Sequence, residues 1–380
     1  MRVDDIMLVV IFIGWLAKLA VYKELSLLKR TAMNGPILAY IFVCVLSTAV
    51  MLIGGRGQLL RSAFYLLKYF EYYLLYFLVV NNVTNLKQAK VFIYLLLATC
   101  FIVSLYGLFS YFATGVRASA PFEGVEGEAN TLAGYLVFMI ALALGLLLYS
   151  DDARLKTLMA AVIGTAFITM LFTLSRSGWL SFIFMYLAFI VVSKKGKPIL
   201  VFGLVFMIVL APIAAPKAIK ERVSATFHDP GKAYRVGHKS VNIDESGVAR
   251  IESWKIGFRK LSQKPIFGFG IPGGSVIDNQ YARVMMEVGF LGFFVFLYLL
   301  WRIFTISRRT VDLFRGIPFT EGIAVGFFAG FCGLLFHSTT SASFIVIRIM
   351  EPFWFLMAII VLLPELVKTA EVQPVDFSGT

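Results

Sequence analysis

Apolar positions along this chain come in long unbroken runs rather than at strand or surface-helix spacing. Ile6 to Tyr22, Ile37 to Ile53, Phe64 to Val80, Val91 to Phe112, Leu132 to Tyr149, Leu158 to Leu174, Trp179 to Val192 and Ile199 to Ala214 are nearly free of charge, as are Val284 to Ile303, Ile323 to Phe336 and Phe344 to Leu363. Each approaches the ~20 residues with which an α-helix crosses a bilayer. Lipid satisfies no backbone hydrogen bonds, so the spans must be helical. The pattern predicts an all-α polytopic membrane protein with about 11 transmembrane helices, within a range of about 10 to 12. It divides the chain into N-terminal helices over 1–214, a long connection over 215–282, C-terminal helices over 283–364 and a polar tail over 365–380. The first run follows the n-region MRVDD, as acidic as it is basic, and no small-x-small cleavage site comes after it, so it reads as a retained span.

Composition removes the soluble alternatives. Hydrophobic residues make up 59% and charged residues 15% of the 380, with mean hydropathy +0.84, whereas soluble domains carry roughly a quarter charged residues. Cys44, Cys100 and Cys332 fall inside spans without zinc or disulfide spacing and read as small packing residues. The net charge of +13 does not point to nucleic acid, because the basic residues sit in short connections rather than on one face. Lys23, Lys29 and Arg30, then Lys87 and Lys90, Arg154 and Lys156, Lys194, Lys195 and Lys197, and Arg308, Arg309 and Arg315 mark alternate connections. By the positive-inside rule these face the cytoplasm, with the N-terminus outside and Lys368 inside.

The opposite connections hold the residues with chemistry. Arg176, in LFTLSRSGWLSF, lies between two apolar runs on the non-cytoplasmic side, against the charge tendency. It either meets an anionic partner, or caps the preceding helix and snorkels to lipid phosphate. Arg250 opens ARIESWKIGFRKLSQKPIFGFG, where Ile251, Trp254, Phe258 and Leu261 recur at helical spacing. This is an amphipathic helix on the membrane surface, ended by Pro265 and the Gly268-Phe269-Gly270 turn. In IPGGSVIDNQYARVMMEVGFLG a glycine-rich turn, suited to close backbone approach to a ligand, leads into Asp278 and Asn279. Asp278 there is either a functional carboxylate or an N-cap. His337, in GLLFHSTTSA, ends another helix on the same side as a polar participant or an interfacial cap. Lys68 and Glu71, three apart, read as a local pair on one helical face.

In order, SR-SG (Ser175 to Gly178), a long external connection, R-x-x-x-W (Arg250 to Trp254), P-I-F-G-x-G (Pro265 to Gly270) and D-N-x9-G-x-x-G (Asp278 to Gly292) resemble the O-antigen ligase and O-antigen polymerase superfamily. Asn279, Gly289 and Gly292 keep the ligase spacing, while Asp278 stands where the ligases have histidine and is closer to the O-antigen and exopolysaccharide polymerases. Arg117 with PFEGVEGEANTLAGYL is similar to the Arg...Gly-Phe...Asn-x-x-Ala-x-Tyr stretch of polymerases. The resemblance implies a GT-C-like glycosyltransferase in a bacterial cytoplasmic membrane, its active site facing the exterior or periplasm. It implies polymerisation of undecaprenyl-diphosphate-linked repeat units in O-antigen, lipopolysaccharide or exopolysaccharide synthesis, with donor and acceptor glycans, membrane lipid, a chain-length regulator and a flippase as partners.

Such chemistry needs a stabilised diphosphate leaving group. The external acids Asp229, Asp244 and Glu245 are scattered and form no obvious ligand cluster, so no metal or cofactor is expected. Arginine's planar fork suits phosphate oxygens, which assigns Arg176 and Arg250 to the diphosphate. Asp278 becomes the general base of an inverting transfer, or an orienting group. Arg117, Asn130, Asn279, Tyr281 and His337 are the expected substrate contacts. Two alternatives remain: a ligase handing the glycan to a lipid core or protein, and a flippase or exporter. The latter calls for two related halves and mid-membrane polar residues, neither of which stands out.

Overall fold

The computed structural model describes residues 10, 11, 13–15, 17, 29–55, 58–121, 128–214, 216–228, 233–236, 239–242, 245–273 and 277–372, with side-chain surroundings left out at 211–214, 225–228, 233–236, 239–242, 245–246, 249–250 and 371–372. The described residues are helical apart from their connections and one short antiparallel hairpin. In chain order the helices are α1 (Asn34–Ile53), α2 (Leu59–Asn82), α3 (Leu86–Thr114), α4 (Ala129–Tyr149), α5 (Ala153–Phe172), α6 (Arg176–Val192) and α7 (Lys197–Ala214). Then come α8 (Lys217–His228), the hairpin of β1 (Ala233–Val236) and β2 (Lys239–Asn242), α9 (Glu245–Gln263), α10 (Gln280–Leu313), α11 (Pro318–His337) and α12 (Ile347–Val372).

Eight of these helices are long and apolar enough to span a bilayer, and α6 and α7 are shorter apolar helices. They coincide with ten of the eleven runs in the sequence. The remaining run, Ile6 to Tyr22, lies largely outside the described residues, though its described positions are helical. This is a multi-pass membrane protein.

The core is built on α4 and α11, the two most enclosed spans. Gly322 and Gly326 bring α11 so close to α4 that a Cβ on Gly145 would fall 2.0 Å from the Gly322 carbonyl oxygen, and one on Gly326 would fall 2.7 Å from that of Ala141. Lipid gives no hydrophobic drive between helices, so small residues that admit such contact supply the packing. Around this seam Phe138, Phe327, Phe331, Phe344 and Phe353 form a ring network with centroids 5.3–5.9 Å apart. Lys68 lies over the Phe64 ring at 5.2 Å. Cys44 and Cys100 are buried and Cys332 half-buried, all as free thiols.

Contacts between connections sort them into two ends. At one end Lys29 pairs with Glu365, its backbone N–H donates to Asn81 Oδ1 at 3.0 Å, and Tyr149 OH meets Ser193 Oγ at 2.9 Å. Most of the basic connections belong to this end. The other end joins the α3–α4, α5–α6, α7–α10 and α11–α12 connections, and all the motif residues lie there.

Candidate functional site

An arginine cluster forms where α4 and α6 begin. Ser175 is the N-cap of α6, its Oγ accepting from the Gly178 N–H at 3.2 Å and donating to Asn130 Oδ1 at 2.8 Å. The turn before it is tight: Leu174 has φ +50, the only positive φ outside glycine among the described residues. L-residues rarely occupy that region, and such strain collects at functional turns. Arg176 is the first residue of α6, and α5 ends before it at Thr173. Arg117 reaches over the same turn, Nε donating to the Thr173 carbonyl at 2.8 Å and Nη2 to Asn130 Oδ1 at 3.3 Å. Asn130 Oδ1 thus links the Arg117 fork to the α6 cap.

Arg222 of α8, half-buried, joins them. Burial, then the positive charges of Arg222 and Arg176 nearby, hold the Arg117 guanidinium below its ordinary range. The Glu128 carboxylate, at the N-cap of α4, accepts from Thr131 Oγ1 at 2.8 Å beside them, and the N-termini of α4 and α6 add the positive ends of their dipoles. Guanidinium groups and helix N-termini are groups that can take the oxygens of an anion.

The second part of the site is a sharply bent helix start. α10 is interrupted at Gly289, where φ is 65 and ψ −166. In a straight helix Tyr281 and Phe296 would stand about 22 Å apart along the axis, yet their rings lie 6.4 Å apart. The nine residues Gln280 to Val288 therefore fold back across the bundle as a separate segment. The P-I-F-G-x-G loop fills the break: the Phe290 N–H donates to the Pro265 carbonyl at 2.7 Å, while the Phe269 and Gly270 N–H groups donate to the Met286 and Glu287 carbonyls at 2.9 and 2.8 Å. A Cβ on Gly289 would fall 2.3 Å from the Ile266 carbonyl oxygen. These motif glycines serve a close backbone joint.

The start of the segment is pinned to the α11–α12 turn. Asn279 caps α10 by accepting from the Ala282 N–H at 2.9 Å and donates through Nδ2 to the Thr339 carbonyl. The Gln280 N–H donates to the Ser338 carbonyl at 3.0 Å, and Gln280 Oε1 accepts from the Phe344 N–H at 3.1 Å. Tyr281 OH donates to the Leu335 carbonyl at 2.9 Å. His337 is fully buried, its Nδ1 2.7 Å from Ser343 Oγ and its ring against Gly134, one turn beyond Asn130. Asn130, Gly134 and His337 thus join the arginine cluster to the α10 start.

The cap role open to Asp278 belongs to Asn279. Asp278 is exposed, and among the described residues its carboxylate makes no hydrogen bond or ion pair. Arg250 lies in α9, and its side chain falls outside the described residues, as do Asp229, Asp244 and the 122–127 part of the Arg117 stretch. No three His, Cys, Asp or Glu side chains among the described residues come together as a metal site. Sequence reasoning missed Arg222, Gln280 and a buried Arg283–Glu287 pair. The i,i+4 spacing of that pair inside an apolar span was the available signal for it, and the basic face of KAIKERV was the signal for Arg222.

Residues 160–297 match the family model Wzy_C, described as O-antigen ligase. These 138 of the chain's 380 residues are similar to an O-antigen ligase domain. The domain runs from mid-α5 into α10 and takes in Arg176, Arg222, Arg250, Asp278, Asn279 and the Gly289 joint. Arg117, Asn130 and His337 meet it from outside the matched residues. No curated protein matches the chain.

Proposed function

We propose that the protein polymerises undecaprenyl-diphosphate-linked oligosaccharide repeat units at the outer face of the cytoplasmic membrane. Supporting this is the convergence of Arg117, Arg176 and Arg222 beside Asn130 and the α6 cap, an anion-binding surface at the end of the molecule opposite most of the basic connections. The arginines take the diphosphate, joined by Arg250, and stabilise the charge that builds on the departing oxygen. Asp278 accepts the proton of an acceptor sugar hydroxyl as that oxygen bonds to the anomeric carbon. The carbon–oxygen bond to the diphosphate breaks, the lipid diphosphate leaves with the electron pair, and the anomeric centre inverts. Guanidinium groups perform the electrostatic work, so turnover persists without a divalent metal.

The test is polymerisation by the purified protein in detergent with EDTA, using a lipid-diphosphate-linked repeat unit. Wild type is compared with Arg176→Ala, Arg222→Ala, Arg250→Ala and Asp278→Asn. Wild-type ladders that disappear in folded variants support the reading. Arginine variants with near-normal rates overturn the diphosphate site, and glycan passed to a lipid core or protein without ladders makes the enzyme a ligase.

A further inference from the structure

The Arg283–Glu287 pair lies inside the bundle, below the residues assigned to chemistry. Arg283 Nε stands 2.9 Å from Glu287 Oε1, with the two side chains 15% and 2% exposed. Tyr69 OH of α2 donates to Glu287 Oε2 at 2.7 Å. The backbone carbonyl of Glu287 accepts from Ser47 Oγ of α1 at 2.8 Å and from the Gly270 N–H at 2.8 Å. One residue thereby ties together α1, α2, the Pro265 to Gly270 loop and its own helix.

A buried ion pair is a poor way to gain stability, since desolvation offsets most of its attraction and apolar replacements of similar volume are often as stable. Orientation is what it supplies. The segment Gln280 to Val288 has lost its helical continuation at Gly289, and so short a helix does not hold its own geometry. Asn279, Arg283 and Glu287 follow at i, i+4 and i+8 on one face. Turning the segment about its axis would carry Asp278 and Asn279 with it, and a misplacement of about 1 Å can lower a rate by about 10²-fold.

We propose that Arg283, Glu287 and Tyr69 are positioning residues that lock the rotation of the bent α10 start and so set Asp278 against the bound diphosphate, an inference resting on the transferase reading above. The full-length protein is tested in detergent as Tyr69→Phe and as the apolar pair Arg283→Met with Glu287→Met. Three quantities are read: the unfolding temperature, amide exchange at Gln280 and Ala282, and kcat and KM for the lipid-linked unit. The apolar pair is expected to unfold near the wild-type temperature, with exchange at those amides raised about tenfold or more. Its kcat falls about tenfold or more while KM changes little, and Tyr69→Phe gives a smaller change in the same direction. A rate that recovers together with the unfolding temperature overturns the proposal and makes the pair ordinary packing. Faster exchange with a normal kcat also overturns it. If wild type itself forms no polymer, the polymerase reading fails separately, and unchanged exchange in the apolar pair would sink the anchor.

Discussion

Replacing Arg222 by glutamine should uncouple anion binding from the integrity of the fold. Burial, and then the nearby charges of Arg222 and Arg176, depress the Arg117 guanidinium. A prenyl diphosphate entering there relieves this repulsion and stabilises the folded state by mass action, by about 2.7 kcal/mol at a ligand concentration of about 100 Kd. One charge-assisted contact contributes about 1.5–3 kcal/mol. Losing about 2 kcal/mol of binding weakens Kd by about 30-fold, which leaves about 0.9 kcal/mol of stabilisation at the same ligand concentration. At roughly 2 °C per kcal/mol for a chain this long, a wild-type rise in Tm of about 5 °C shrinks to about 2 °C. The assay is thermal unfolding in detergent with geranyl diphosphate, geranyl monophosphate and geraniol as a series, on wild type, Arg222→Gln and Arg222→Lys. Lysine keeps the charge without the fork and should fall between the two. An undiminished diphosphate shift in Arg222→Gln, or an equal shift with geraniol, would refute the reasoning.

Other variants separate structural from chemical roles. Gly289→Ala forces a side chain into a glycine-only backbone conformation and against the Ile266 carbonyl. It should lower stability by about 3 kcal/mol, and an unchanged unfolding temperature would show the joint to be different in solution. Ser175→Ala removes the α6 cap and its link to Asn130, at a cost of about 1 kcal/mol and with weaker diphosphate binding by the same thermal-shift series. Neighbours Asp278 and Asn279 should give opposite signatures. Asp278→Asn keeps the wild-type Tm and loses about 10²–10⁴ in turnover, whereas Asn279→Ala lowers the Tm by releasing both the cap and Thr339; a destabilised Asp278→Asn would mean that the carboxylate is structural.

The spans were legible because long apolar runs leave lipid-spanning helices as the only solution, and the sorting of connections into two ends followed from counting them. The association of Arg117 with Asn130 was visible only through resemblance, since no local periodicity connects a loop arginine to the next helix. The bend in α10 was hidden: Gly289 reads as one more small residue in an apolar run, and only the loop carbonyls and N–H groups packed into it reveal a break. Arg222 escaped for a related reason, because its surroundings come from α3–α4 and α5–α6 connections far away in sequence. At Asp278 and Asn279 composition favoured either residue as the cap, and the choice was settled by which side chain accepts from the Ala282 N–H.

The joint between the Pro265 to Gly270 loop and the Gly289 break bears on how such a chain can be re-engineered. The loop's carbonyls and N–H groups complete the hydrogen bonding of a helix that begins further along the chain, so neither piece is modular. Chimeras that exchange the α7–α10 connection between relatives should keep their fold only when the crossover points fall before Pro265 and after Gly292, carrying loop, bent segment and break across as a single cassette.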